Sequence, residues 1–192
     1  MKLISNNSQF EKYKMPGVIC RSFFDDQMMV CVRPWTFLKN ENIVFNEIEQ
    51  FLTANDVDVE ITTPFDYVDS LSSMANKVRI SVLMANDRMY LENKDQYQNA
   101  YEVAMMFKYK NELILSSLGR FNWSIQYSTD EIYEVYGYQG ILDKDVLLPG
   151  NILGLNKDPF VQVISLKSNN ITKITLSSTF NKENYNELVF KF

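Results

Sequence analysis

The chain has 192 residues, 46% hydrophobic and 22% charged, with a net charge of −5. Its 13 phenylalanines and 11 tyrosines exclude a disordered chain, which lacks the aromatic surface needed to offset ordering entropy. Lysines and arginines are scattered, which argues against a nucleic-acid surface. The absence of histidine excludes Ser-His-Asp and Cys-His catalysis and every histidine metal site.

Chemistry in this chain must therefore rest on carboxylates, lysines, tyrosines or hydroxyls. The length suits one domain, residues 1–192, with a sizeable core. The N-terminal MKLISNNSQF is too polar for a signal peptide, and no apolar run approaches the ~20 residues of a membrane span. Cys20 and Cys31 both lie in apolar, strand-like contexts. They are expected as reduced, buried thiols of a cytoplasmic protein.

In chain order, MPGVICRSF (15–23) and QMMVCVRP (27–34) read as two strands joined by a turn at Phe24-Asp25-Asp26. ENIVFNEIEQFLTA (41–54) reads as a helix, with apolar residues at a three-four spacing and Asn40 as its cap. Residues 64–91 are expected as one long amphipathic helix. Thr63 would cap it, Pro64 would occupy its first position, and Val68, Leu71, Ala75, Val78, Val82, Ala85 and Met89 would form its buried stripe. After the polar break ENKDQYQN (92–99), alternation with period two takes over. YEVAMMFKY (101–109), ELILSSLG (112–119) and RFNWSIQYS (120–128) follow, with EIYEVYGY as a further strand. A looser segment with Pro149, Gly150, Gly154 and Pro159 leads to FVQVISLK, ITKITLSS and NELVFKF. Short connections favour antiparallel pairing, and two helices between strand blocks indicate an α+β layering.

The element order resembles that of the PP2C family of metal-dependent serine/threonine phosphatases, and so do the positions of several motifs. Arg21-Ser22-Phe23-Phe24-Asp25-Asp26 stands in the place of R-x-x-N-E-D. The strand MMVCV runs into Arg33-Pro34-Trp35 where the family has D-G-x-x-G. Ala85-Asn86-Asp87-Arg88-Met89-Tyr90 matches the end of the second family helix. Asn99-Ala100-Tyr101 replaces G-[ST]-T, and Ser117 to Asn122 replaces N-x-G-D-S-R. A Leu153-Gly154 pair is kept. Ser178-Thr179-Phe180 replaces [ST]-D-G, and Tyr185-Asn186-Glu187-Leu188 replaces D-N-x-T. The helical insert usual between the last two motifs is missing, with only Asn181 to Asn184 between them.

The resemblance implies an α+β fold: a PP2C-like β-sandwich of antiparallel sheets flanked by two long antiparallel helices. Family chemistry uses two metal ions, held by hard carboxylate ligands, to clamp phosphate and activate a water. The resemblance places the key carboxylates at Asp26, Arg33, Thr179 and Tyr185, so one acid of four remains. At Arg33 a fixed positive charge stands where a divalent cation would sit. Arg33 is expected to pair instead with Asp25 or Asp26, so that Arg21, Asp25, Asp26, Arg33, Thr179 and Tyr185 outline a vestigial cleft without metal or other cofactor. A plain polar hairpin turn at Asp25-Asp26 is the alternative.

Met28-Met29 and Met105-Met106 alternate with strand residues and are expected in the core. Trp35 and Trp123 are candidates for an aromatic recognition surface. Trp35, Tyr133, Tyr136 and Tyr138, with Tyr127 nearby, are candidates for contact with a partner. The function implied is a catalytically inactive pseudophosphatase acting as a protein-interaction or regulatory module. Its partner would be another protein: a kinase, a phosphatase or a multi-protein complex. Two alternatives stand beside it. One is a phosphatase with a relocated acidic site built from Asp25, Asp26 and acids such as Asp143 or Asp158. The other is an unrelated α+β interaction protein.

Overall fold

The computed structural model describes residues 2–7, 17–35, 41–56, 63–96, 99–137, 150–179 and 185–191. The elements are β1 (Lys2–Asn7), β2 (Ile19–Phe23), β3 (Met28–Pro34), α1 (Glu41–Asp56), α2 (Ser73–Gln96), β4 (Tyr101–Tyr109), β5 (Glu112–Leu118), β6 (Phe121–Tyr127), β7 (Ile132–Val135), β8 (Gln162–Lys167), β9 (Ile171–Thr179) and β10 (Tyr185–Lys191). They form two five-stranded sheets. Sheet 1 has the order β2-β3-β4-β5-β8 and sheet 2 the order β1-β10-β9-β6-β7. Neighbouring strands run antiparallel in both. The α+β sandwich expected from the sequence is therefore the observed fold.

Alternation along each strand of sheet 1 feeds two cores. Met28, Val30 and Val32 of β3, with Tyr101, Val103, Met105 and Phe107 of β4, pack toward the helices. There they meet Val44, Phe45 and Ile48 of α1 and Ala75, Val78, Val82, Ala85 and Met89 of α2. The opposite parity, Met29 and Cys31 of β3 with Ala104 and Met106 of β4, packs against Phe121, Trp123, Ile125, Ile174 and Leu176 of sheet 2. A strand buried on both faces reads as a continuous apolar run, which is the character of MMVCV and VAMMF. The paired methionines lie in these cores, one on each side of sheet 1.

Three expectations about local structure are corrected. The second helix begins at Ser73, not at Pro64, and continues through the polar residues as far as Gln96. Thr63 closes a local turn instead of capping a helix, its hydroxyl accepting from the Phe65 amide. The cap is Ser72, whose hydroxyl accepts from Ala75 N at 3.0 Å. The segment before it is satisfied by Asn76, whose side chain bonds Val68 N, Val68 O and Leu71 O. An asparagine inside the helix thus supplies partners that a helical backbone would otherwise provide. Val68 is consequently exposed and Leu71 only half-buried. The second correction is β1, which had no counterpart in the expected strands. Its KLISNN has little apolar alternation, and it is a strand because it pairs with β10 along its whole length.

The third correction concerns the cysteines. Cys20 and Cys31 are not free thiols but are joined as a disulfide. They are directly opposite one another in the β2–β3 ladder, a placement that brings the two Sγ atoms within bonding reach. The argument for a reducing compartment from free thiols therefore falls away. Among the described residues, no helix is long and apolar enough to cross a membrane.

A buried ion pair as candidate functional site

The parity that fills the inter-sheet core ends in a charge. After Met29 and Cys31, the next residue on that face of β3 is Arg33, 1% exposed. Its register partner on β4 is Glu102, 0% exposed, on the same face as Ala104 and Met106. Arg33 Nη1 donates to Glu102 Oε2 at 2.8 Å. The same oxygen accepts the indole N–H of Trp35 at 2.9 Å, and Glu102 Oε1 accepts the Arg120 amide at 2.6 Å. Both carboxylate oxygens are therefore engaged by donors fixed on β3, on the residue after it, and on the turn between β5 and β6. The Arg33 guanidinium also lies 4.8 Å from the centre of the Phe121 ring, a cation–π contact with sheet 2.

Gly119 makes room for this arrangement. Its φ of +105° is left-handed, and a Cβ there would lie 2.5 Å from Glu102 Cγ. Only a residue without a side chain lets the β5–β6 turn close over the carboxylate. Burial pushes the Arg33 guanidinium below its ordinary pKa. Glu102 pulls it back by charge and hydrogen bond, and nearby Arg120 pushes it down again. Arg120 is likewise lowered by burial and raised by Glu102. Arginine keeps its proton in proteins regardless, so Arg33 is a permanent cation inside the sandwich, with Glu102 as its counterion.

The residues outlined as a cleft do not all converge. Asp25 and Asp26 are exposed and form the β2–β3 hairpin turn. Both have positive φ, 51° and 62°, and Gln27 N bonds back to Phe24 O at 3.0 Å. Aspartate tolerates the left-handed region better than most residues, so the polar-turn reading accounts for both acids. Arg33 lies at the other end of β3, and Met28 to Arg33 alone spans roughly 16 Å at ~3.3 Å per residue. The expected pairing of Arg33 with Asp25 or Asp26 is thus replaced by its pairing with Glu102. Arg21 lies elsewhere again. It is exposed on β2, bonds Asn42 of α1 and sits 4.4 Å over the Phe45 ring.

Thr179 and Tyr185 are register partners at one end of the β9–β10 ladder. Phe121, which carries the cation–π contact, pairs with Ser178. The backbone therefore brings Thr179 and Tyr185 to the same end of the sandwich as Arg33. Of the four positions at which the resemblance places carboxylates, the backbone brings three to this end and Asp26 to the other.

Trp35 is half-buried and turned onto Glu102, while Trp123 is 2% exposed in the inter-sheet core. Trp123 is therefore no part of a recognition surface. Tyr133 and Tyr136 are exposed on and just beyond β7. Tyr138 and Asp143 lie outside the described residues. Glu102 was missed in the sequence. The signal that could have found it is parity: an acid in phase with Ala104 and Met106 in an otherwise apolar strand demands a buried partner.

A second polar network ties α2 to the segment before β4 and to residues 150–156, at the same end of sheet 1 as Arg33. Asn86 Oδ1 accepts Gly154 N at 2.9 Å, and its Nδ2 donates to Asn156 O at 3.0 Å. Asn93 Nδ2 donates to Asn99 O at 2.6 Å and Gly154 O at 2.7 Å. Gly154 has φ +91°, and a Cβ there would lie 2.3 Å from Asn99 O. Asn86 and Gly154 belong to the two motifs that the sequence kept, and here they bond to each other.

No family model and no curated protein matches the sequence. Solved structures do match. PppA of Pseudomonas aeruginosa superposes with a TM-score of 0.64 at 10% identity, covering 98% of this chain and 96% of that one. Stp1, a serine/threonine phosphatase from Staphylococcus aureus, gives 0.62 at 7% identity, covering 98% and 92%. The fold is that of the PP2C-type phosphatases. The catalytic domain of the serine/threonine phosphatase PstP, in complex with two manganese ions, gives 0.56 at 8% identity, covering 98% and 95%.

A two-manganese centre needs several hard oxygen ligands converging on one place. Among the described residues of this PP2C-like chain, no group of three or more Asp, Glu, Cys or His could hold a metal. Glu102, the carboxylate at the Arg33 end, has both oxygens committed to protein donors. The residues described there do not fit a two-metal centre.

Proposed function

We propose that this chain is a catalytically inactive member of the PP2C-like fold, a pseudophosphatase that acts as a protein-interaction or regulatory module. The observation carrying this reading is the buried Arg33–Glu102 pair. The resemblance to the family places a metal-ligating carboxylate at position 33. An arginine there, paired with a neighbouring glutamate and lying against the Phe121 ring, puts a fixed cation where the resemblance places a metal, without an exchangeable ion. PppA, which has the same fold, is a regulatory component of the T6SS in Pseudomonas aeruginosa. Function resides in sites and not in folds, so this likeness supports a regulatory role only in kind. The partner expected is another protein, and no cofactor is required.

The relocated-site alternative gains no support from the placement of its described acids. Asp25 and Asp26 are exposed at the hairpin turn, and Asp158 lies exposed in the loop that packs near Asn86 of α2. The deciding measurement is hydrolysis of a generic phosphomonoester with and without Mn²⁺, accompanied by calorimetric titration with Mn²⁺. The expectation is neither turnover nor a micromolar site. Metal-dependent turnover by the wild type would end the pseudophosphatase reading. Arg33→Asp is expected to place a second acid beside Glu102, to destabilise the fold, and to create no activity.

A further inference from the structure

The open edge of the sandwich between β7 and β8 carries a feature that the buried ion pair does not use. β7 is bonded to β6 on one side, and on its other side no strand pairs with it among the described residues. Tyr133 is in register with Ile125, a fully buried residue of the inter-sheet core, so its side chain is on the inward face. Tyr133 remains 54% exposed and, with Tyr127, Glu131, Ile132 and Leu166, lines a cleft of 460 Å³ between the two sheets. Ile132 is 62% exposed, and Tyr136, just beyond β7, is 55% exposed.

Natural edge strands are blunted by shortness, charge, proline, a bulge or a covering element. β7 is short and carries Glu134, but it has no lysine, proline or bulge. Among the described residues its outer edge has no strand partner, with a cleft beside it and exposed aromatic and aliphatic side chains within a few residues. Its charge is one-sided. The charged residues from 130 to 136 are Asp130, Glu131 and Glu134, all exposed and all acidic.

We propose that β7 and the cleft beside it form a docking site for an extended segment of a partner protein. That segment adds as a strand to the edge of sheet 2, with apolar side chains at alternate positions and lysine or arginine between them. Strand addition uses main-chain hydrogen bonds for affinity and side-chain pockets at every second residue for specificity. The cleft lined by Tyr133 and Leu166 takes the inward apolar residues. The three acids attract the basic ones. The same acids disfavour a second copy of this chain as the occupant. Pairing β7 with another β7 would gather both sets of Asp130, Glu131 and Glu134 in one patch, and like charges placed opposite each other destabilise a sheet.

The proposal rests on the reading of the chain as an interaction module and names the kind of partner it takes. It is tested with the intact protein and a library of short random peptides, followed by fluorescence anisotropy on the peptides selected. The expected selection is enriched in alternating aliphatic and basic residues. Tyr133→Arg should weaken those peptides by at least about tenfold. Tyr67→Arg, at another exposed tyrosine, should not, and the circular dichroism of both variants should match wild type. Glu131→Lys should weaken the same peptides and flatten the salt dependence of binding. The proposal is overturned if no peptide is enriched, if the selected peptides bind Tyr133→Arg undiminished, or if they are acidic. It is overturned equally if sedimentation shows a dimer that Tyr133→Arg dissolves. Phosphatase activity is scored separately, so turnover would refute the pseudophosphatase reading while peptide binding would still decide the docking site.

Discussion

The two ends of β3 carry charged residues for opposite reasons. At the turn end, Asp25 and Asp26 are exposed and hold a left-handed backbone. At the other end, Arg33 and Glu102 are enclosed, and Glu102 accepts three hydrogen bonds at 2.6 to 2.9 Å. The conspicuous acids of the sequence serve the backbone. The inconspicuous one, inside an apolar strand, balances the buried charge. Solvation separates the two cases. An exposed carboxylate needs no partner, whereas a buried one must be met by donors at every oxygen.

The largest effect should come from breaking the buried end. Arg33→Ala leaves Glu102 enclosed without its counterion and should lower unfolding stability by about 3–5 kcal/mol. Chemical denaturation measures this, and a loss below about 1 kcal/mol would mean that water reaches the site. Replacing both partners together, Arg33→Met with Glu102→Leu, should recover much of the loss, because no uncompensated charge remains.

Reducing the Cys20–Cys31 bond acts on the same β2–β3 hairpin without touching either end. Opening this short loop should cost about 2–4 kcal/mol, visible as a lower urea midpoint in dithiothreitol. An unchanged midpoint would show that the ladder alone holds the edge strand. Gly119→Ala tests whether the turn must close over Glu102. The left-handed φ and the approach to Glu102 together predict a loss of about 1–3 kcal/mol. If Glu102→Ala abolishes that penalty, the clash is the cause, and if it does not, the backbone strain is.

The smallest effect is expected at the exposed end. Asp26→Gly should be neutral or stabilising by up to about 1 kcal/mol, since glycine accepts the positive φ more readily. A loss of several kcal/mol there would reinstate the aspartates as counterions of a buried charge and erase the contrast between the two ends.

Most strands and the first helix were legible because their patterns are local. Alternation in VAMMF and the three-four spacing after Glu41 report burial directly. The second helix was placed nine residues too early at Pro64 against Ser73, because Thr63, Pro64 and the apolar Val68 and Leu71 imitate a helix start. Asn76 reaching back to bond that segment is a tertiary detail with no local trace. β1 was invisible because its pairing partner, not its composition, makes it a strand.

The candidate site divides along the same line. Length, aromatic content and the lack of histidine fixed the broad class and ruled out whole chemistries from the sequence alone. Element order and the retained Ala85-Asn86 and Leu153-Gly154 pairs pointed to the PP2C-like sandwich. What only the tertiary structure decided was pairing. Strand register set Arg33 opposite Glu102 instead of near Asp26, joined Cys20 to Cys31, and brought Asn86 to Gly154 across a separation of 68 residues. A sequence specifies which residues prefer burial. Which buried charge or thiol meets which partner depends on the alignment of distant segments, and that alignment is set by the packing of the whole sandwich.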